Sequence, residues 1–146
     1  MQVSPSVMSD AKYGGAEAIL ALPEAKLVAI LRDPSASVYA KAKACQRLAV
    51  VGGEAAVEPV AVLLADERLS HYARFALEAI PNAAAGEALR AALSSASGSR
   101  LVGVINSIGV RKERRALAAL APLRNHPDAE VAQAAEAAMA RLRPPL

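Results

Sequence analysis

At 146 residues with a formal net charge of +3, the chain has the size of one domain and needs neither disulfide nor metal to staple its core. Hydrophobic residues make up 54% of it but aromatics only 3%, so Ala, Leu and Val dominate, a composition that favours packed helices over sheets. The single Cys excludes an intramolecular disulfide or a Cys-built zinc site, and no uncharged apolar run reaches the ~18 residues of a bilayer span.

The chain opens with MQVSPSVMSD, which lacks the basic start and apolar stretch of a signal peptide. A cytoplasmic location is therefore expected, with export of a longer precursor left open. Residues 1–22 are expected to form an N-terminal extension, mobile or extended over 1–15 and adding one capping helix from AEAILALPEAKL. From residue 23 onward the sequence repeats. AKACQRLAVVG (42–52), HYARFALEAIP (71–81), LVGVINSIGVR (101–111) and AQAAEAAMARL (132–142) align on Leu48, Leu77, Ile108 and Met139, at intervals of 29, 31 and 31 residues. Four positions upstream stand Ala44, Ala73, Val104 and Ala135, and three downstream stand Val51, Ile80, Arg111 and Leu142. Spacings of three and four put these columns on one helix face, broken only by Arg111.

Shorter segments precede each of these: EAKLVAILRD, EAAVEPVAVLLAD, GEALRAALSS and RRALAALAPLRN. Each is apolar at helical spacing and ends at a break such as Asp33-Pro34 or His126-Pro127-Asp128, while Gly52-Gly53 and Pro81-Asn82 mark turns between units. Pro59 and Pro122 should shorten or kink the helices that contain them. The expected fold is all-α, with strands essentially absent and eight or nine helices. It is an α-solenoid of about four helix pairs over residues 23–146, with units near 23–52, 53–81, 82–111 and 112–143 and a possible N-terminal capping helix.

The runs ACQRLAVVG, LADERLSHYARFALEAIP and LVGVINSIGVRKE resemble the short-repeat HEAT proteins of bacteria, a group that shares its motif with phycobilin lyases and includes proteins of no assigned activity. The resemblance covers roughly residues 24 to 142. It implies that the second helix of each pair lines a concave face, the usual binding surface of the family. Arg111 departs from the family's apolar pattern.

Positions one or two steps from the buried columns should face outward on that surface. They are Ala42, Cys45, Gln46 and Ala49, then His71, Arg74, Phe75 and Glu78, then Val102, Ile105, Asn106 and Gly109, and finally Gln133, Glu136, Ala137 and Ala140. The strongest partner-binding candidates are Gln46, His71, Arg74, Phe75, Glu78 and Asn106, because an aromatic beside Arg and His is the mixture enriched at interface hot spots. The bland alternative packs Phe75 inward and leaves Arg74 as a solvated charge. A second candidate is the basic cluster Arg111, Lys112, Arg114 and Arg115, near Arg100 and Arg124, which could meet phosphates. Against it stand Glu113 within the run and the lack of an aromatic for base stacking. Cys45 reads as a small core residue, or as a thiol activated by Lys41, Lys43 and Arg47 if exposed.

Catalytic constellations are missing. Gly52-Gly53 lacks the Lys-Ser/Thr of a phosphate loop, and His71 and His126 lie in different units without a ligand-type partner. The functional expectation is a non-catalytic scaffold for another protein, or a subunit of a larger assembly, with no cofactor, no metal and no membrane insertion. A nucleic-acid-binding solenoid and a bilin-lyase-like modifying factor are the alternatives.

Overall fold

A computed structural model describes residues 9–144, and the fold is predominantly helical. Among the described residues there are nine α-helices: α1 (Ala16–Leu20), α2 (Glu24–Arg32), α3 (Val38–Val51), α4 (Glu54–Val62), α5 (Ser70–Ala79), α6 (Ala83–Ala92), α7 (Gly98–Arg111), α8 (Leu117–Leu120) and α9 (Ala129–Leu142). The helices begin where the sequence offers caps. Ser37, Asn82 and Asp128 accept hydrogen bonds from the backbone N–H groups of Ala40, Ala84 and Glu130, satisfying donors that the first turn leaves unpaired. The start of α4 is capped from another helix, since Glu24 of α2 accepts from the Gly53 N–H. The two internal prolines sit differently: α4 runs on past Pro59, whereas Pro122 stands just after the end of α8. Pro59 lies in α4, which tightens into a 3-10 turn at Leu63–Ala65, and Pro122 opens the 3-10 turn Ala121–Asn125 that ends α8 after one turn.

Helix contacts run in two rows. In the first, α2 packs on α4 and α4 on α6; in the second, α3 packs on α5, α5 on α7, and α7 on α9. Each pair α2/α3, α4/α5, α6/α7 and α8/α9 is also in contact. The anchors Leu48, Leu77 and Ile108 are fully buried, Met139 is 8% exposed, and Ala44, Ala73, Val104 and Ala135 are buried behind them. Val51, at the end of α3, is 37% exposed and leaves its apolar column at the surface. No helix among the described residues is long and apolar enough to cross a membrane.

The N-terminal segment is more ordered than its sequence suggests. Residues 1–8 lie outside the described residues, but 9–15 form a tight hairpin in which β1 (Ser9–Asp10) pairs antiparallel with β2 (Gly14–Gly15). Gly14 supplies the left-handed φ of +83° that the turn requires. Buried Asp10 organises the rest: its carboxylate accepts from the Lys12, Tyr13 and Ser37 N–H groups at 2.7, 3.0 and 2.8 Å. The hydrogen bonds to Ser37 lead the causes that hold its pKa down at about 2. Asp33, in the α2–α3 turn, binds the Tyr13 hydroxyl and the Lys12 ammonium, and these contacts, with those to Ser35, hold its carboxyl below the usual range. From the hairpin the chain enters α1, which packs on α3 and buries Ile19 in the common core.

Candidate functional site

The helical register explains which second-row residues reach solvent. A residue two positions before an anchor lies about 160° round the helix from it, whereas one three positions before lies only about 60° away. Gln46, Phe75, Asn106 and Ala137 occupy the first column, and all four are exposed. Cys45, Arg74, Ile105 and Glu136 occupy the second, which faces the following helix of the row. Cys45 and Ile105 are accordingly buried, not outward-facing as the sequence suggested, and Arg74 is half-buried. Ala42 and Gly109 are buried as well, while Glu136, on the last helix of the row, is exposed. Burial pushes the Cys45 thiol up to about 12, despite the cations on its own helix.

Three of the partner-binding candidates come together. Gln46 and Ala49 of α3 with His71, Tyr72 and Phe75 of α5 line an open groove of about 300 Å³. Phe75 is 52% exposed, a large apolar side chain held at the surface. The His71 ring meets it edge to face at 4.9 Å and meets Tyr72 at 5.6 Å. Tyr72 had not been singled out, although its place beside His71 in SHYARF is the signal that could have marked it.

Arg74 and Glu78 turn from this groove toward α7. The Arg74 guanidinium donates to the Gly103 carbonyl at 3.1 Å and the Ser107 hydroxyl at 3.3 Å, and Ser107 donates to Glu78 Oε1 at 2.8 Å. These two candidates therefore tie neighbouring helices together. Ser107 is fully buried, and its polarity within VINSIG was the clue to this bridge. Beyond it, Asn106 lines a separate groove of about 310 Å³ with Gly109 and Val110 of α7 and Ala137, Ala138 and Arg141 of α9. A third groove, also about 310 Å³, lies on the first row between α4 and α6. Its lining is mostly alanine, with only Ser95 and Arg100 to orient a ligand.

The basic cluster loses its first member. Arg111 reaches back to the C-terminal end of α5, where Nη1 donates to the Leu77 and Ile80 carbonyls and Nη2 to the Asn82 carbonyl. A cation there meets the negative end of the helix dipole and satisfies carbonyls that the last turn leaves unpaired. Gly86 of α6 leaves the space: a Cβ there would lie 3.1 Å from Arg111 Nε and would collide with the Glu113 carboxylate. Lys112 takes a left-handed φ of 60° and closes α7 in a Schellman turn, its N–H bonded to Gly109 and that of Glu113 to Ile108. Lys112, Arg114 and Arg115 are exposed. No group of three or more His, Cys, Asp or Glu side chains among the described residues is placed to hold a metal ion.

The sequence matches no protein-family model, and a search of curated proteins finds no significant relative.

Proposed function

We propose that this chain is a helical-repeat interaction module of the HEAT type, an α-solenoid of about four helix pairs that binds a partner protein and carries out no chemistry. A row running unbroken from α3 to α9, beside a second row of α2, α4 and α6, supports the repeat, since helix pairs of this kind bury a core only by stacking. The binding surface is the concave face formed by α3, α5, α7 and α9.

The observation that carries the reading is the groove between α3 and α5. There Phe75 stays exposed beside His71 and Tyr72, between the first two helices of the second row. Aromatic side chains at a central position, ringed by contacts that exclude water, dominate the energy of interfaces. At about 300 Å³, the grooves lie at the lower limit of pockets that enclose small molecules, and they are open along one side. Those dimensions favour a protein surface over a tetrapyrrole. With Arg111 committed to α5, the phosphate-binding reading has lost the residue nearest the repeat core.

Affinity capture from the source cell, with mass spectrometry, supplies the partner, and single substitutions then test the face. Phe75→Ala should weaken binding by at least about 2 kcal/mol, the hot-spot threshold, while the thermal melt stays unchanged. Lys26→Ala, exposed on the first row, should leave binding intact. If Lys26→Ala abolishes binding and Phe75→Ala does not, the face is wrongly assigned. If Phe75→Ala unfolds the chain, the residue belongs to the core.

A further inference from the structure

The chemistry around the α3–α5 groove restricts what can enter it. Helix α3 carries Lys41, Lys43 and Arg47 and no acidic residue. The ion pairs among the described residues, Lys12–Asp33 and Arg32–Glu58, both lie outside it. Lys43 Nζ lies 3.2 Å from Gln46 Oε1 and 5.7 Å from the Tyr39 ring centroid, which puts an ammonium on the rim beside Gln46. On the opposite wall stands His71, whose Nδ1 lies 3.3 Å from Nη2 of Arg74, the guanidinium itself lying toward α7. A guanidinium only donates, so Nδ1 accepts, and the proton of neutral His71 sits on Nε2 as a second donor. On α5 itself the Glu78 carboxylate accepts from Ser107 on the α7 side. The walls between these groups are Ala49, Tyr72 and Phe75, apolar and wide enough for one or two side chains.

We infer that this groove binds an acidic peptide segment, seating one of its aromatic or long aliphatic side chains against Phe75 and Tyr72 while flanking carboxylates meet Lys43 and the Nε2–H of His71. The inference rests on the second-row face being the binding surface and adds the chemical class of the partner. A basic peptide would bring its cations against Lys43 and the Nε2–H of His71, and like charges across an interface suppress binding. Because the rim groups reach solvent, the charge contribution should be screened by salt, while the apolar anchor should not be.

The probe is a random dodecapeptide phage library panned on the full chain, with counter-selection on Phe75→Ala. Survivors should be enriched in Asp and Glu around a Phe, Trp or Leu. Titration of one such peptide, followed by fluorescence anisotropy and amide chemical shifts, should perturb Gln46, Ala49, His71 and Phe75. Replacing its central apolar residue by Ala should weaken binding at least about tenfold, the loss of one good anchor. Raising the salt from about 0.01 to 0.1 M shortens the screening length from about 30 to 10 Å and should weaken it further. Lys43→Glu, an exchange on a half-buried rim, should reverse the preference so that the Lys-substituted peptide binds better than the acidic one. A basic consensus, no enrichment over the naive library, or shifts confined to the α7–α9 or first-row groove overturns the inference. So does a single-stranded oligonucleotide that displaces the peptide and binds more tightly. If the captured partner is lost with Phe75→Ala yet ignores salt and Lys43→Glu, the acidic-peptide inference fails while the interaction-module reading stands. If Phe75→Ala leaves the partner bound, that reading fails too.

Discussion

Replacing Arg111 by Ala removes a side chain that joins α7 to the end of α5. In the native chain its guanidinium donates to Leu77 O at 2.8 Å and to Asn82 O at 2.8 Å, with Ile80 O between them at 2.5 Å. A hydrogen bond from a charged group is worth about 1.5–3 kcal/mol net. Arg111 is only half-buried, so water can reclaim part of what the three carbonyls lose. A loss of about 2–4 kcal/mol follows, a large share of the roughly 5–15 kcal/mol that holds a domain folded. Ala and Arg have similar helix propensity, so α7 itself offers no compensation. For a chain of this length about 4 °C of melting temperature accompanies each kcal/mol, giving a fall of roughly 8–16 °C. Urea titration and thermal melts monitored at 222 nm would measure it. Arg111→Lys should recover less than half, because one ammonium keeps the charge but cannot span three carbonyls. A loss below about 0.5 kcal/mol for Arg111→Ala, typical of an inert surface site, would refute the clamp.

Two further outcomes follow from buried polar groups. Cys45, fully buried with its thiol pushed up to about 12, should resist a disulfide reagent such as Ellman's at pH 8 in the folded chain and react completely in guanidinium; rapid native labelling would show that α3 is wrongly seated. Asp10 titrates at about 2 in the fold against 3.8 for a free side chain, so its contribution is full above about pH 4 and is lost as the pH falls toward 2. The stability gap between wild type and Asp10→Asn should close over that window; a gap that stays constant from pH 5 to 2 would remove Asp10 from its role.

The helical character and the buried anchors were legible because they repeat. Leu48, Leu77, Ile108 and Met139 announce themselves by spacing alone, and Pro122, just past the end of α8, acts on its own backbone. The candidate groove was legible in part, through the exposed column of Gln46 and Phe75. What escaped depends on partners far along the chain. Asp10 acts on Ser37, 27 residues away, and Arg111 acts on carbonyls 29–34 residues upstream, one repeat back, where the period gives the neighbourhood but not the hydrogen bonds. In a column of apolar anchors Arg111 reads as a fault, yet its position at the end of α7 is the one from which a long cation reaches the end of α5. The outward positions at Cys45 and Ile105 failed for a simpler reason. Stepping back three residues turns a helix by nearly a full circle and returns the side chain to the packed flank.

The same geometry gives Gly103 a role that its helix propensity hides. Gly in the interior of α7 should cost about 1 kcal/mol relative to Ala, so Gly103→Ala ought to stabilise the chain. A Cβ at that position, however, would lie 2.6 Å from the Cζ and Nε atoms of Arg74. The guanidinium would have to lift off α7, losing its hydrogen bonds to Gly103 O and Ser107 Oγ. Those bonds are long and partly solvated, worth about 0.5–1.5 kcal/mol each, which roughly cancels or slightly exceeds the gain in propensity. The measured effect in the wild-type background should therefore be near zero or mildly destabilising. In an Arg74→Ala background the three atoms nearest the methyl group are gone, and the substitution should stabilise by about 1 kcal/mol. A four-member cycle in urea thus predicts a coupling of about 1–3 kcal/mol, the sum of the two lost bonds, with Gly103→Ala showing its full gain only once Arg74 is gone. Additivity within about 0.3 kcal/mol would mean that Arg74 does not lie across α7 in solution. The consequence reaches the groove, because Arg74 also holds His71 by its Nδ1. Lifting it should release the imidazole tautomer, a change visible in the His71 nitrogen shifts that a purely structural glycine would leave untouched.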